Sequence, residues 1–283
     1  MNKFLIIVFT CFFSSLVAIA DEYNFRLATP TDLDSLVNLM NKEASTEEGI
    51  VIPPKKFRSA YFQSAIENNE LFVVTQGEHI IGYKKLFVID DQEKQLSILE
   101  DEIRCQGADS ELIYNGVISY ENNVINFFEH NDQQLKIDNA VYIYNGGDFT
   151  KKEYRGQGLN KLLMQKALDS IASKVIDYIQ HNKSAYIALL YGITENNGSY
   201  TPGAMHDRTR PIVSQFVPFA QHVAACIGYS SKINSVLHTR YRAFKPSFDQ
   251  ESTEFKPLSD EYAVPGAGVV LAFPLKKEVL HED

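Results

Sequence analysis

Cysteine is scarce in this chain, with three residues in 283, and none stands in a Cys-x-x-Cys or Cys/His arrangement. Redox catalysis and structural zinc therefore find no support. Basic residues are also in short supply, 27 against 36 acidic ones, for a formal charge of -9. That sign repels phosphate backbones, argues against a general nucleic-acid role, and suits a polycationic or amine-bearing partner better. Beyond residue 20 no apolar run approaches the ~20 residues that cross a bilayer. The sequence has no internal repeat, heptad array or low-complexity block, and no Gly-x-Ser-x-Gly elbow of a serine hydrolase. His206 and Asp207 lack a third ligand at metal spacing, so no metal site is expected.

What is there begins with the amino terminus. Met1-Asn2-Lys3 is a small basic start, Phe4 to Val17 is almost wholly apolar, and Ala18-Ile19-Ala20 is a small-x-small cleavage site. Residues 1–20 read as a secretory signal peptide, with the mature chain starting near Asp21 and destined for the periplasm or secretion. Cys11 falls within the signal and lacks the leucine three positions earlier that a lipoprotein pattern requires. Cys105 and Cys226 remain, as one disulfide or as two buried thiols.

With 45% hydrophobic residues, residues 21–283 suffice for one good-sized core and read as a single domain. Tyr23 to Ala28 is a short strand, and Thr29-Pro30-Thr31-Asp32 carries the cap and proline that open a helix. A second helix is expected over Pro54 to Asn68. Leu71–Thr75 and Ile80–Ile89 form a hairpin around Gly77, and residues 90–136 read as an acidic insertion with strands at Glu111–Ser119 and Asn123–Glu129. Val141–Phe149 is a strand. It runs into a glycine turn and a helix whose apolar positions Leu159, Leu162, Leu163, Ala167, Ile171, Val175 and Ile179 keep helical spacing. Ala185–Thr194 is a buried strand. An inserted loop at 197–211, a helix over Ile212–Cys226, and strands at Ile233–Phe244 and Gly268–Phe273 follow. Alternating strands and helices point to an α/β or α+β layer architecture.

The informative junction is Arg155-Gly156-Gln157-Gly158. Glycines there let backbone N–H groups converge on a ligand in front of a helix N-terminus, which makes a pyrophosphate cradle. No Lys-Ser/Thr pair follows as in a P-loop, and Lys161 stands where a dinucleotide fingerprint has a small residue.

Arg155-x-x-Gly158-x-Asn160 resembles the Arg/Gln-x-x-Gly-x-Gly/Ala signature of the GCN5-related N-acetyltransferase family, and Glu-Tyr-Arg-Gly-Gln-Gly-Leu looks like its usual wording. The opening Phe25 to Leu33 is similar to the family's first strand and helix, and the order of elements matches over most of residues 23–274. The resemblance implies a mixed, mostly antiparallel sheet with helices on both faces, splayed before Arg155 to admit pantetheine. It implies acetyl-CoA as co-substrate, with no metal, and an amine-bearing small molecule or protein as acceptor. Phe149, Thr150, Arg155, Gly156, Gln157, Gly158, Leu159 and Asn160 would bind the cofactor. A backbone N–H of the Val141–Phe149 strand would polarise the thioester.

Two departures stand out. Asn160 replaces the motif's last small residue, where its side chain would crowd the pyrophosphate. The family's acid, a tyrosine four residues before a Gly-Phe pair, corresponds to Ala224 before Gly228-Tyr229. Asp148 and Glu153 are candidate bases, each also readable as a solvated loop carboxylate; Tyr191 and Tyr229 are candidate acids, each also readable as a core or rim aromatic. The acidic insertion would wall the acceptor site, and His206 to Arg210 would hold an anionic group such as the cofactor's 3'-phosphate. Two functions follow. One is an exported N-acyltransferase working after delivery into another cytosol or on another acyl donor. The other is a degenerate transferase fold serving as a secreted binding module.

Overall fold

The computed structural model describes residues 23–43, 55, 58–89, 111–122, 124–130, 137, 139–194, 202–246 and 263–277. The proposed signal peptide and Cys105 lie outside them. The strands are β1 (Asn24–Leu27), β2 (Leu71–Gln76), β3 (His79–Ile89), β4 (Glu111–Glu121), β5 (Val124–His130), β6 (Ala140–Thr150), β7 (Tyr186–Thr194), β8 (Ser235–Pro246) and β9 (Ala263–Pro274). The helices are α1 (Leu33–Lys42), α2 (Arg58–Glu67), α3 (Leu159–Asn182) and α4 (Pro202–Cys226).

All these strands share one sheet in the order β1-β2-β3-β6-β7-β9-β8-β4-β5. Every pairing is antiparallel except β6 with β7. That exception follows from the long α3 between them, because a parallel neighbour needs a crossover. The sheet is mixed, mostly antiparallel and flanked by helices, as the resemblance implies.

Alternation along the strands sends side chains to two faces. Ile81, Leu86, Val141, Ile143, Ile187, Leu189 and Tyr191 pack with Leu163, Ala167 and Val175 of α3 and Phe216, Val217 and Ala220 of α4. Leu71, Val73, Ile80, Tyr83 and Phe149 pack on the opposite face against Leu36, Met40, Phe62 and Ile66 of α1 and α2. Each fully buried large apolar side chain contributes roughly 1.5–3 kcal/mol over its exposed state. A bidentate pair locks the first strand to the first helix: Arg26 Nη1 and Nη2 donate to Asp32 Oδ2 and Oδ1 over 2.6 and 2.8 Å, and Thr29 N donates to the same carboxylate at 2.7 Å.

One expectation is corrected. The segment given as a loop up to residue 211 is helical from Pro202. Proline suits the first helical position, and the helix runs on through Pro211 and Pro218 despite the ladder donor each lacks, so composition misled. The insertion places its hairpin, β4 and β5, at the far edge of the sheet, with β7, β9 and β8 between it and β6. The rest of the insertion that was expected to wall the acceptor site, 90–110 and 131–136, lies outside the described residues.

Candidate functional site

β6 and β7 pair from Ala140↔Tyr186 to Asn145↔Tyr191, and there their pairing ends. β6 runs on to Thr150 bound only to β3, while β7 runs on to Thr194 bound only to β9. The sheet therefore splits at Asn145. Just past this vertex β6 carries a bulge: Lys85 pairs with Gly147 and Leu86 with Asn145, leaving Gly146 as the extra residue. Such a bulge re-aims the backbone. No described strand covers the split edge of residues 146–150, so the peptide groups on that side of β6 have no ladder partner among the described strands.

At the open end lies a cleft of 440 Å³ lined by Asp148, Phe149, Thr150, Tyr154, Arg155, Gly156, Gly158, Leu159, Asn160 and Lys161. Of the eight expected cofactor residues, all but Gln157 line it. Gln157 instead accepts a hydrogen bond from the Tyr23 hydroxyl at 2.9 Å, which ties the turn to the chain preceding β1. Gly156 and Gly158 both have φ +79°, and a Cβ added to either would meet no atom within 4 Å. Glycine is needed here for the backbone angle and leaves room beside the turn. Gly158 is also the N-cap of the 24-residue α3, whose first N–H groups open toward the cleft with the helix's positive end.

Arg155 fixes the turn from below: its Nε donates to Thr150 O at 2.7 Å, and its guanidinium lies 5.5 Å from the Phe149 ring centre. Arg155 and Lys161 give the lining positive charge, which suits a pyrophosphate. Tyr154 and Lys161 were not among the expected cofactor residues, although both adjoin the motif.

Asp148 does not stand as a free base. Its Oδ2 accepts from Lys84 Nζ at 2.9 Å and from Asn160 Nδ2 at 2.9 Å. Lys84 is buried, and its ammonium also donates to Asn145 Oδ1 at 3.2 Å. Desolvation acts to raise the Asp148 pKa, but the Lys84 charge and hydrogen bond, with help from Asn160, outweigh it and leave the carboxyl below its ordinary value. A carboxylate so stabilised is a weak proton acceptor. Asn160, expected to crowd the cradle, has its amide anchored to Asp148 instead.

The other three catalytic candidates do not line the cleft. Glu153 is exposed on the short turn before Arg155. Tyr191 occupies the last β6–β7 rung with its side chain in the core under α3 and α4. Tyr229 is half-buried and bridges Lys277. Ala224, at the family's acid position, is fully buried against the sheet. Of His206 to Arg210, only the Arg210 side chain is described, and it is exposed. Cys226 is an exposed free thiol, 3.8 Å from His222 Nε2. Among the described residues there is no cluster able to hold a metal and no helix long and apolar enough to cross a membrane.

Sequence reading missed the group on the opposite face at the bulge. Tyr61 of α2 donates to Gly146 O at 3.4 Å. Burial, then the negative charges of Asp148 and Glu70, push its phenol up to about 12. Lys85 Nζ lies 5.2 Å from the Tyr61 ring centre, 5.3 Å from that of Phe87, and 3.7 Å from Glu70 Oε2. Single tyrosines and lysines in an amphipathic helix and a strand carry no local sign of meeting there.

No family model matches this chain, and no curated protein matches it in sequence. Among solved structures there are likenesses of fold at low identity. The ribosomal-protein-S18-alanine N-acetyltransferase of Escherichia coli is 10% identical, with 92% of this chain and 99% of that one covered at a TM-score of 0.38. The yncA protein of Salmonella typhimurium, solved with its cofactor acetyl-CoA, is 12% identical, with 88% and 92% covered at 0.35. The ribosomal-protein-S5-alanine acetyltransferase of Vibrio fischeri is 12% identical, with 89% and 93% covered at 0.34. The mixed, mostly antiparallel sheet, its split beside the strand that precedes Arg155, and the glycine turn opening the long helix agree with the fold that the sequence resemblance implies.

Proposed function

We propose that this chain is an exported N-acyltransferase that moves an acetyl group from acetyl-CoA to a primary amine. The observation that carries the reading is the cleft at the split, where two glycines with φ +79° turn into the N-terminus of α3 beside Arg155 and Lys161. Converging N–H groups and two cations complement a pyrophosphate. The open edge of β6 from Gly146 to Thr150 offers hydrogen bonds to an extended pantetheine arm. N–H groups at the bulge polarise a thioester carbonyl placed at the vertex. The acceptor ammonium must lose a proton before attack, since its ordinary pKa is about 10.4. Asp148 is a poor acceptor for that proton, so a water relay or another carboxylate takes it.

Export rests on the amino-terminal pattern, and delivery into a second cytosol reconciles it with a donor that is plentiful there. Fractionation of the producing cells, with amino-terminal sequencing of the exported protein, tests this; a cytosolic protein retaining Phe4 to Val17 would sink it.

A second reading is supported by the buried Ala224 at the acid position and the absence of Tyr191 and Tyr229 from the cleft: a transferase fold kept as a binding module. Titration calorimetry of acetyl-CoA into the full chain, with Gly158→Glu as control, separates the two when followed by thiol-release assays. Micromolar binding, about -8 kcal/mol, that the variant loses, together with amine-dependent thiol release, supports the transferase. Absent binding by a folded protein sinks it.

A further inference from the structure

The bulge at the vertex faces one of the protein's own amines. Lys85 lies in β3 opposite Gly147, with Gly146 as the extra residue beside it. Two successive glycines leave this stretch of β6 without side chains on the lysine's path. The stem runs so close to the strand that a Cβ built on Gly146 would sit 3.3 Å from Lys85 Cδ. Lys85 is held there from three directions. Its ammonium lies over the Tyr61 and Phe87 rings at 5.2 and 5.3 Å and 3.7 Å from the Glu70 carboxylate. Two aromatic faces and an anion are the chemistry that selects an ammonium group.

The elements that build this cage are fixed by the fold. Tyr61 is anchored by its hydroxyl to Gly146 O, so cage and bulge form one unit. Phe87 packs against Tyr144 with ring centres 5.3 Å apart. Glu70 is set by its backbone, which receives Leu86 N at 2.9 Å and donates to Ala65 O at 2.9 Å. The Lys85 side chain keeps 18% of its surface exposed, so it is held without being sealed from solvent.

We propose that Lys85 Nζ is an intramolecular acyl acceptor, a self-acetylation site at the vertex of the split sheet. The inference rests on the acetyl-CoA reading above. Glu70 takes one proton from the ammonium and passes it to solvent. The neutral amine attacks the thioester carbonyl, a C–N bond forms, the C–S bond breaks, and the amine's second proton ends on the departing sulfur. The products are Nε-acetyl-Lys85, free CoA thiol and one released proton, so no further reactant is needed. Acetylation cancels the charge that Glu70 and the two rings hold, so the modified stem loses its reason to stay in the cage.

The test uses the full chain, incubated with acetyl-CoA and followed by intact mass and peptide mapping, with acetyl-CoA binding measured in parallel by calorimetry. The expected result is one acetyl group at Lys85. It should form at a rate independent of protein concentration, at least tenfold faster than at the exposed Lys232, and be lost in Gly158→Glu. Glu70→Gln should slow it at least tenfold while leaving acetyl-CoA affinity unchanged. Micromolar binding without acetyl-Lys85 overturns self-acetylation and leaves the transferase reading standing. Equal labelling of Lys85 in Gly158→Glu also overturns it, as ordinary chemical acetylation. Absent binding overturns both. Because the wild-type protein carries the main readout, a variant that fails to fold does not rescue the idea.

Discussion

Asn160 Nδ2 donates to Asp148 Oδ2 over 2.9 Å, joining the first turn of α3 to the split end of β6. Asn160 stands where the resembled signature has a small residue, and Asp148 is one that sequence alone offered as a base. The structure gives each a positioning role through the other.

The first prediction concerns that bond. Since the Asn160 amide is committed to Asp148, Asn160→Gly should change acetyl-CoA affinity by less than about threefold, well under the tenfold that 1.4 kcal/mol would give. Titration calorimetry of wild type and variant decides this. A gain beyond tenfold would mean that the side chain does obstruct the cradle.

Removing the carboxylate has a larger effect. Asp148→Asn leaves the buried Lys84 ammonium without its anionic partner, with only neutral amide oxygens in its place. The expected loss is about 2 kcal/mol, smaller than for a fully buried pair because Asp148 remains 38% exposed. Urea denaturation at neutral pH measures it, and an unchanged midpoint would show that Lys84 finds another partner.

The acid limb of stability has a defined sign. The Arg26 hydrogen bond, against the opposing effect of burial, and the Thr29 bonds lower the Asp32 carboxyl to about 2, and that of Asp148 is lowered as well. Groups with depressed folded values stabilise the protein above their unfolded values of about 4 and lose that contribution as pH falls toward the folded value. Stability should therefore be flat with respect to these two groups from pH 5 upward and fall between about pH 4 and 2. Denaturation across that range should show a shallower fall in Asp32→Asn than in wild type.

The glycine turn yields a backbone prediction. A Cβ at Gly156 meets no atom, so the cost of Gly156→Ala comes only from its φ of +79°. That cost is about 1–2 kcal/mol, readable as a lower denaturation midpoint. A loss well above this would reveal a contact that the open space does not suggest.

The sequence by itself determined what neighbouring residues settle among themselves. Leu159 to Ile179 fix α3 by their spacing, and Gly156 and Gly158 fix a turn that other residues resist, so seven of the eight expected cofactor residues meet in the cleft. The cap at Thr29 and Asp32 was legible for the same reason. Where composition stood in for geometry it failed, as with the helix that begins at Pro202. Only the tertiary structure decided where the sheet splits, because the last β6–β7 rung depends on a register between strands joined through a 24-residue helix. It alone brought Lys84 and Asn160 to Asp148, and Tyr61, Glu70 and Lys85 to the Gly146 bulge. Those residues stand up to 85 positions apart in the chain, and no local pattern records a meeting that strand pairing and layer packing impose.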